Sequence, residues 1–230
     1  MEQRVALITG ASQGLGRALA SGLADRGWTL VLDARRADRL EQAATDLGVR
    51  TKVVAIAGDV TQPDHRERLV AAVHELGRLD LLVNNASTLG ASPLPSLAAI
   101  DLEVFRRTYE VNVVAPLALT QLLVTTLDAS HGTVLNITSD AGVEPYPDWG
   151  GYGSSKAALE HLSAILAVEQ PGIRVLVTDP GDLRTEMHQD AFPGEDISDR
   201  PLPETIVPAL VDLIESDQVG GRYRVPELVP

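Results

Sequence analysis

Seven short apolar segments alternate with helix-like segments along the chain, and this alternation restricts the possible folds more than any other feature of the sequence. The strand-like segments are apolar at consecutive positions, without the in-and-out alternation of a half-exposed strand. Such strands are typical of a parallel sheet that helices cover on both faces. Strands are predicted at Val5–Thr9, Thr29–Ala34, Thr51–Ala57, Leu81–Asn84, Thr133–Ser139, Ile173–Asp179 and Arg222–Val225. Helices are predicted at Leu15–Arg26, Asp38–Leu47, Pro63–Leu76, Asp101–Leu127, Tyr152–Val168 and Pro203–Ser216.

This repetition predicts one α/β domain over residues 1–230, a doubly wound parallel sheet of the Rossmann-like type with helices on both faces. The one long irregular stretch, at about 181–203, is typical of a lid or binding loop. The chain has no cysteine, which excludes disulfides, zinc-thiolate sites and a cysteine nucleophile. Its five histidines show no ligand-like spacing, so no metal is expected.

Charge narrows the range of partners. The net charge of −13 argues against a nucleic-acid or anionic-membrane surface, since such surfaces need clustered positive charge. The apolar stretch Val111–Leu119 is interrupted by Asn112 and Pro116 and is too short to cross a membrane. The N-terminus runs directly into the first strand-like segment and lacks the long apolar region of a secretory signal. We therefore expect a cytoplasmic protein that binds neither nucleic acid nor membrane.

A glycine-rich turn joins the first predicted strand to the first helix. Gly10, Gly14 and Gly16 have the spacing G-x-x-x-G-x-G, a variant of the dinucleotide-binding fingerprint. Glycines let the backbone turn tightly and approach a pyrophosphate, whose charge the free N–H groups of a helix N-terminus stabilise. The turn therefore predicts a nucleotide site at the carboxyl edge of the sheet, where doubly wound folds bind ligands.

The same turn has two other interpretations. The run Gly10-Ala11-Ser12-Gln13-Gly14 also spells the G-x-S-x-G nucleophile elbow of a serine hydrolase, with Ser12 as nucleophile. An oxyanion hole would then need an N–H from a loop after an earlier strand, and only nine residues precede Gly10. The hydrolase interpretation also leaves Gly16 unused. The turn could finally be merely structural, but nucleotide binding is favoured.

Tyr152 and Lys156 lie four residues apart on a predicted helix, so their side chains share one face. Lysine is rare in this chain, at positions 52 and 156 alone among 19 basic residues. A compact ammonium suits a position beside a phenol better than a planar guanidinium does. Lowering a tyrosine pKa by ~3 units takes about 4 kcal/mol, and an ammonium ~4 Å away at an effective dielectric of ~20 supplies about that much. The pair is thus a candidate for acid–base chemistry, although a surface contact would show the same spacing.

Two further polar residues fit that chemistry. Ser139 ends a predicted strand at the functional edge and could donate a hydrogen bond to a carbonyl oxygen, or merely cap a turn. Asn112 interrupts an apolar helical run, where an amide needs partners. It is expected either to hold a water beside Lys156 or to face a polar cavity.

Taken together, these residues resemble the short-chain dehydrogenase/reductase family over almost the whole chain. The glycine motif matches Thr9, Gly10, Gly14 and Gly16, and the adenine-side pair matches Asp59-Val60. The N-N-A-G motif matches Asn84-Asn85-Ala86, with Ser87 in place of the glycine. The catalytic set of the family falls on Asn112, Ser139, Tyr152 and Lys156, and its nicotinamide-side segment on Pro180-Gly181 with Thr185.

The choice of cofactor depends on the segment Asp33-Ala34-Arg35-Arg36. In the family, an acid just past the second strand binds the ribose hydroxyls of NAD, whereas a basic residue there accepts the additional phosphate of NADP. Aligning Ala34 with that position puts Arg35 at the phosphate, and an arginine fork suits a phosphate monoester. NADP(H) is therefore favoured. If the alignment shifts by one residue, Asp33 takes the position that binds the ribose hydroxyls, and NAD(H) becomes the expected cofactor.

The resemblance implies an enzyme that interconverts a carbonyl and an alcohol by hydride transfer, with Tyr152 as acid and base, Ser139 positioning the oxygen and Lys156 holding the ribose. The alternative of another class is a non-catalytic NAD(P)-binding sensor or structural protein. A homodimer or homotetramer is implied, through helices 101–127 and 152–168. Trp149, Met187 and Phe192 are candidates for the wall of a small-molecule pocket. The implied cofactor-binding positions are Gly10, Ser12, Gln13, Gly14, Leu15, Gly16, Arg35, Arg36, Asp59, Val60, Asn85, Ala86, Tyr152, Lys156, Pro180, Gly181 and Thr185.

Overall fold

The chain forms one seven-stranded parallel sheet between layers of helices, in a computed structural model that describes residues 3–229. Its strands are β1 Val5–Ile8, β2 Thr29–Ala34, β3 Val53–Ala57, β4 Leu81–Asn84, β5 Thr133–Ile137, β6 Arg174–Asp179 and β7 Gly221–Arg224. Its α-helices are α1 Gly14–Asp25, α2 Ala37–Gly48, α3 Pro63–Leu76, α4 Leu102–Tyr109, α5 Ala115–Ala129, α6 Gly150–Glu169, α7 Glu186–Ala191 and α8 Val207–Glu215.

The strand order is β3-β2-β1-β4-β5-β6-β7, and every pair is parallel. The order reverses beside β1, so the crevice between the ends of β1 and β4 is the switch point at which such sheets bind ligands. The predicted doubly wound fold is confirmed.

Two apolar clusters hold the helices onto the sheet. On one face α1 and α8 bury residues such as Leu19, Leu23 and Leu210. On the other face α3 and α5 bury Leu69 and Leu119. Strands β1, β2, β4 and β5 between them are buried throughout, which explains why their sequences carry no polar alternation, whereas the edge strands β3 and β7 are partly exposed.

The predicted helix over 101–127 is one long element with a π-helical turn inside it. After α4 the backbone widens over Glu110–Val114 before α5 begins. The whole span Leu102–Ala129 is long and apolar enough to cross a membrane, but α5 packs against the sheet in the core, with Leu119, Leu123 and Leu127 fully buried. It therefore serves as a core helix of the α/β fold.

The segment predicted as an irregular loop at 181–203 contains helix α7. Thr185 caps this helix, since its hydroxyl accepts a hydrogen bond from the backbone N–H of His188, and Glu186 adds an acidic side chain to the first turn. The helix predicted from Pro203 starts later than expected, because Pro203–Thr205 forms a 3-10 turn before α8. The prediction missed α7 because the helix is only six residues long.

Candidate active site at the carboxyl edge of the sheet

A cavity of about 750 Å³ opens at the carboxyl ends of the strands. Its volume is that of a ligand pocket for a molecule of cofactor size. The structure brings nearly all of the predicted site residues to its wall, except Gly16 and Asn112, which lie behind it. The predicted residues in the wall are Gly10, Ser12, Gln13, Gly14, Leu15, Arg35, Arg36, Asp59, Val60, Asn85, Ala86, Ser139, Tyr152, Lys156, Pro180, Gly181 and Thr185.

The glycine turn lies at one side of this cavity and leaves no room for a side chain at Gly10 or Gly16. A Cβ on Gly16 would lie 2.4 Å from the carbonyl oxygen of Gly10, and Gly10 itself has φ +67, in the left-handed region that favours glycine. The first turn of α1 has no side-chain cap and no acidic residue. Its backbone N–H groups are therefore available to an anion, and the turn fits the pyrophosphate of a dinucleotide.

Thr9 and Asn85 tie this turn to the end of β4. The Thr9 hydroxyl donates to the Val83 carbonyl at 3.2 Å and accepts from the backbone N–H groups of Asn85 and Ala86 at 3.0 Å each. The Asn85 side chain donates in turn to the Thr9 carbonyl at 2.8 Å. These bonds fix the floor of the cavity.

Asp33, the alternative ribose ligand, is occupied by another partner. Its side chain is 2% exposed, and its carboxylate lies 2.6 Å from Nε2 of His65. A guanidinium nitrogen of Arg68 lies 2.8 Å from Nδ1 of the same ring, so Nδ1 accepts and Nε2–H donates to Asp33. Burial raises the pKa of Asp33, and the His65 hydrogen bond opposes that shift. The sequence analysis did not predict this buried pair, because its members are 32 residues apart.

The arginines beside Asp33 differ in their surroundings. Arg35 lies in the cavity wall and, within residues 3–229, forms no hydrogen bond or ion pair. Arg36, just before α2, lies 4.0 Å from the carboxylate of Glu186, and Arg39 in the first turn of α2 donates to that carboxylate at 2.7 Å. Arg39 also donates to the side chain of Gln13. Helix α7 is thus tied to the glycine turn through Arg39, a contact between segments that are far apart in the sequence.

Asp59 anchors the far end of the cavity. Burial alone would raise its pKa, but hydrogen bonds from Thr61 and Arg107 outweigh burial and hold the pKa below its ordinary value. Arg107 reaches Asp59 at 2.5 Å from α4 and itself lines the cavity. A positively charged side chain therefore adjoins the predicted adenine-side residue.

Helix α6 carries Tyr152 and Lys156 into the opposite end of the cavity. Tyr152 is 7% exposed and Lys156 is 2% exposed. The Lys156 ammonium donates to the Ile137 carbonyl at 2.8 Å and lies 5.4 Å from the centre of the Tyr152 ring. The two side chains converge, as their spacing predicted.

The pKa shifts of Tyr152 and Lys156 differ from those expected from the sequence. Burial raises the pKa of Tyr152 above its ordinary value, while hydrogen bonds with Ser87 and Ser139 oppose that shift. Burial also lowers the pKa of Lys156 to about 8. The expected lowering of the tyrosine pKa by the ammonium is therefore not found, because the earlier Coulomb argument left out the desolvation of both groups.

The depressed pKa of Lys156 predicts a pH-dependent stability. Between about 8 and the ordinary value of 10.5 the unfolded chain binds more protons than the folded one, so stability rises with pH through this window. From about pH 7 to about pH 9.5 the free energy of unfolding should rise by about 2 kcal/mol more in the wild type than in Lys156→Met. Urea titrations at both pH values measure this. Lys52→Met, at the other lysine, should keep the wild-type slope, and an equal slope in Lys156→Met would contradict the prediction.

Ser139 follows β5 beside Tyr152 and also caps a turn. Its hydroxyl donates to the Asp140 carboxylate at 2.9 Å and accepts from the backbone N–H of Ala141 at 3.2 Å. The other carboxylate oxygen of Asp140 accepts from the hydroxyl of Tyr146 at 3.0 Å. Asp140 thus orients Ser139. The sequence shows only that the two residues are adjacent and does not indicate this role.

Asn112 lies in the π-helical turn and is fully buried, with 0% exposure. Its amide donates to the Thr88 carbonyl and to the Ser155 hydroxyl at 2.9 Å each. Its oxygen accepts from the backbone N–H of Thr88 at 2.9 Å and from the hydroxyl of Ser87 at 3.2 Å. Both amide N–H groups are satisfied by protein, so the side chain joins α6 to the loop after β4. π-Helical turns often occur at functional sites.

The hydrolase interpretation finds no support. Ser12 is buried in the glycine turn, and within residues 3–229 its hydroxyl has no hydrogen bond to a histidine or a carboxylate. A serine nucleophile needs such a base. Within the same residues no three His, Cys, Asp or Glu side chains form a cluster that could hold a metal ion.

The parallel sheet, the glycine turn and the cavity at the switch point define a class, the nucleotide-binding α/β proteins. Comparison with known proteins narrows this class. Residues 4–196 match the family described as short chain dehydrogenase. Sepiapterin reductase of Mus musculus is 38% identical over 199 residues, which cover 80% of this chain and 76% of the relative.

Two solved structures share the whole fold. An alcohol dehydrogenase from Thermococcus sibiricus, complexed with 5-hydroxy-NADP, has a TM-score of 0.88 at 30% identity, over 97% of this chain and 96% of the other. The 3-ketoacyl-(acyl-carrier-protein) reductase from Brucella melitensis, complexed with NADH, has a TM-score of 0.87 at 27% identity, over 97% of both chains. The chain belongs to the short-chain dehydrogenase/reductase family and is an NAD(P)-binding oxidoreductase.

Proposed function

We propose that the protein is an NADP(H)-dependent oxidoreductase that interconverts a small-molecule carbonyl and its alcohol. The observation that carries this proposal is the placement of Tyr152, Lys156 and Ser139 in the wall of the same cavity as the glycine turn. A protein that only bound a nucleotide would not need a buried phenol and ammonium at the other end of the cavity. When bound, the nicotinamide supplies or accepts the hydride.

The residues of the chain supply the proton and its alignment. Tyr152 donates its hydroxyl proton to the carbonyl oxygen in reduction and takes a proton from the alcohol in oxidation. Ser139 donates its hydroxyl hydrogen to the Asp140 carboxylate in the structure, and turns it to the same carbonyl oxygen when substrate binds, which polarises that oxygen. Lys156 holds the ribose hydroxyls beside the phenol. Burial raises the pKa of Tyr152, so the phenol holds its proton until the carbonyl oxygen takes it during reduction.

Asn112 contributes to the proposed site by positioning a helix and does not line the cavity. Its side chain bonds to Ser155, one turn from Tyr152 and next to Lys156 in α6. Asn112 therefore positions the helix that carries the acid–base pair. Its predicted role in holding a water beside Lys156 remains part of the proposal.

A test with reduced cofactors and a panel of aldehydes and ketones separates the enzyme from a sensor. We expect consumption of NADPH that depends on both protein and carbonyl, followed as loss of dihydronicotinamide absorbance. Tight NADPH binding without consumption by any carbonyl in the panel would favour the sensor.

The preference for NADP(H) is supported by the two side chains that could decide it. Both residues line the cavity, but Asp33 is 2% exposed and paired with His65, whereas Arg35 has no partner among residues 3–229. A free guanidinium can bind the additional phosphate through two parallel N–H donors. A carboxylate that is buried and paired with a histidine is not free to accept hydrogen bonds from ribose hydroxyls.

Arg35→Ala should therefore weaken NADPH binding and leave NADH binding nearly unchanged. Hydrogen bonds to charged groups contribute ~1.5–3 kcal/mol, so the Kd for NADPH should rise about 10- to 100-fold. Fluorescence titration with each reduced cofactor measures this. Arg50→Ala, which removes an arginine paired with Asp25 outside the cavity, serves as the control. Equal weakening for both cofactors would contradict the assignment.

We further propose a cytoplasmic homodimer or homotetramer in which each chain acts as one domain with a lid at about 181–203. Large apolar side chains are exposed on or beside α5 and α6, the two helices predicted to form the contact: Val114, Leu117, Leu122, Ile165 and Val168. Apolar patches of this kind mark protein–protein contacts.

A further inference from the structure

Four of the chain's aromatic side chains meet at one end of the cavity. The chain has two Phe, two Trp and four Tyr residues. Trp149 lies edge-on to the Tyr152 ring with centroids 5.8 Å apart, and Tyr146 lies edge-on to Trp149 at 6.4 Å. Phe192, from the segment that follows the lid helix α7, lies against Trp149 at 5.8 Å. In a chain with 3% aromatic residues, rings from two distant segments converge beside the proposed proton donor.

Only part of this aromatic cluster faces the cavity. Trp149 and Tyr152 line it together with Met187 and His188. Phe192 is outside the lining and contacts both Trp149 and His188, with the His188 ring tilted 42° to it at 5.0 Å. Trp149 is half-buried, and its indole N–H has no hydrogen bond within residues 3–229. An indole held by a second ring but left partly open is a rigid apolar surface directed at the cavity.

Charges of both signs occur at this end. The Lys156 ammonium lies 5.4 Å from the Tyr152 ring centre. His188 and Arg200 lie 3.9 and 3.8 Å from the Asp182 carboxylate. Asp140 lies beside Ser139, and Asp182 lies at the rim of the cavity with 62% of its side chain exposed. The Asp140 carboxylate, which has no ion pair within residues 3–229, disfavours an anionic group beside Ser139 by like-charge repulsion. The wall around Tyr152 therefore carries an indole beside the phenol, with the Asp140 carboxylate near Ser139, and Met187 adds a thioether to the lining of the same cavity. Both aromatic rings and thioethers make favourable contacts with a flat ring.

We propose that the substrate is an uncharged aromatic aldehyde or ketone whose ring packs against Trp149. This inference rests on the proposed carbonyl chemistry at Tyr152. When the carbonyl oxygen of a substrate accepts a hydrogen bond from the Tyr152 hydroxyl, the group attached to the carbonyl carbon lies among the side chains that surround this hydroxyl in the cavity wall. Trp149, three residues before Tyr152 and in contact with its ring, is the largest of them.

Matched pairs of compounds test this proposal. Benzaldehyde and cyclohexanecarbaldehyde share a carbon skeleton and differ in whether the ring is aromatic. We expect Trp149→Leu to lower the ratio of their kcat/KM values about five- to tenfold, the loss of roughly one ring–ring contact. Trp149→Phe keeps a ring and should keep most of the ratio. Tyr109→Leu, which removes a ring paired with Phe105 on α4, should leave the ratio unchanged.

Binding without turnover gives a second measurement. Benzamide and cyclohexanecarboxamide are unreactive counterparts of these aldehydes, and saturation-transfer NMR on the wild type should show preferential binding of benzamide. Reduction of 4-carboxybenzaldehyde should be at least about tenfold less efficient than that of benzaldehyde.

The outcomes separate the two proposals. If no carbonyl compound consumes NADPH, the proposed function fails, and the amide binding still tests the aromatic wall. If both aldehydes are reduced, and their ratio is the same in the wild type and in Trp149→Leu, the oxidoreductase stands and the aromatic substrate class is overturned. Equal binding of the two amides overturns it even if Trp149→Leu fails to fold.

Discussion

Replacing Tyr152 by phenylalanine is expected to lower kcat for carbonyl reduction by about 10²- to 10⁴-fold, the usual contribution of one positioned acid. The phenol is the only group of the proposed set that donates a proton to the carbonyl oxygen as the alcohol forms. Its ring is buried and its helix is fixed by Asn112 and by the Lys156 bond to Ile137, so loss of the hydroxyl leaves the surroundings in place. The Kd for NADPH should change less than about threefold.

The measurement is single-turnover reduction in the presence of saturating NADPH, with thermal unfolding to establish that the variant is folded. Tyr109→Phe is the matched control, because its ring packs on Phe105 away from the cavity. A Tyr152→Phe variant that kept more than about a tenth of the wild-type kcat would remove Tyr152 from the mechanism.

Gly16→Ala is expected to have the largest effect on nucleotide binding. The added Cβ would lie 2.4 Å from the Gly10 carbonyl oxygen and 2.5 Å from Nδ2 of Asn85, closer than any real contact allows. The turn must shift, which should cost about 1–3 kcal/mol of stability, as overpacking of a filled site does. A displacement near 1 Å of the phosphate-binding backbone should lower kcat/KM by about 10²-fold.

Gly48→Ala is its control. Gly48 ends α2, and a Cβ there would meet nothing within 4 Å. Alanine favours a helix over glycine by ~1 kcal/mol, so this variant should be unchanged or slightly more stable. Urea unfolding measures the stability of both variants, steady-state kinetics measures kcat/KM, and isothermal titration measures the Kd for NADPH. If Gly16→Ala bound NADPH as the wild type does, the turn would not be the phosphate site.

The parts of the fold that could be predicted are those that depend on short stretches of sequence. The apolar strands predict a covered parallel sheet because burial on both faces leaves no polar positions, and the glycines of the first turn predict a close approach of backbone because only glycine fits there. Thr185 followed by Glu186 is a cap signal that could have identified α7. Each of these signals lies within a few residues of the feature that it specifies.

What could not be predicted depends on partners that are distant in the chain. The π-helical turn holds Asn112 where Thr88 and Ser155 can bind it, and neither partner is visible in the local sequence. The pairing of Asp33 with His65 likewise depends on how α3 packs against β2. The direction of the Tyr152 pKa shift required the burial of the phenol to be known, which spacing along a helix does not give.

The two tryptophans of this chain lie in contrasting surroundings. Trp28 is buried, with its indole N–H donating to Glu215 at 3.0 Å and the Arg4 guanidinium over its ring, whereas Trp149 borders the cavity. The tryptophan fluorescence of the chain therefore has a constant component from Trp28 and a component from Trp149 that changes when a ligand binds in the cavity. Subtracting the spectrum of Trp149→Phe isolates the second, so the chain reports its own occupancy optically, without a dye.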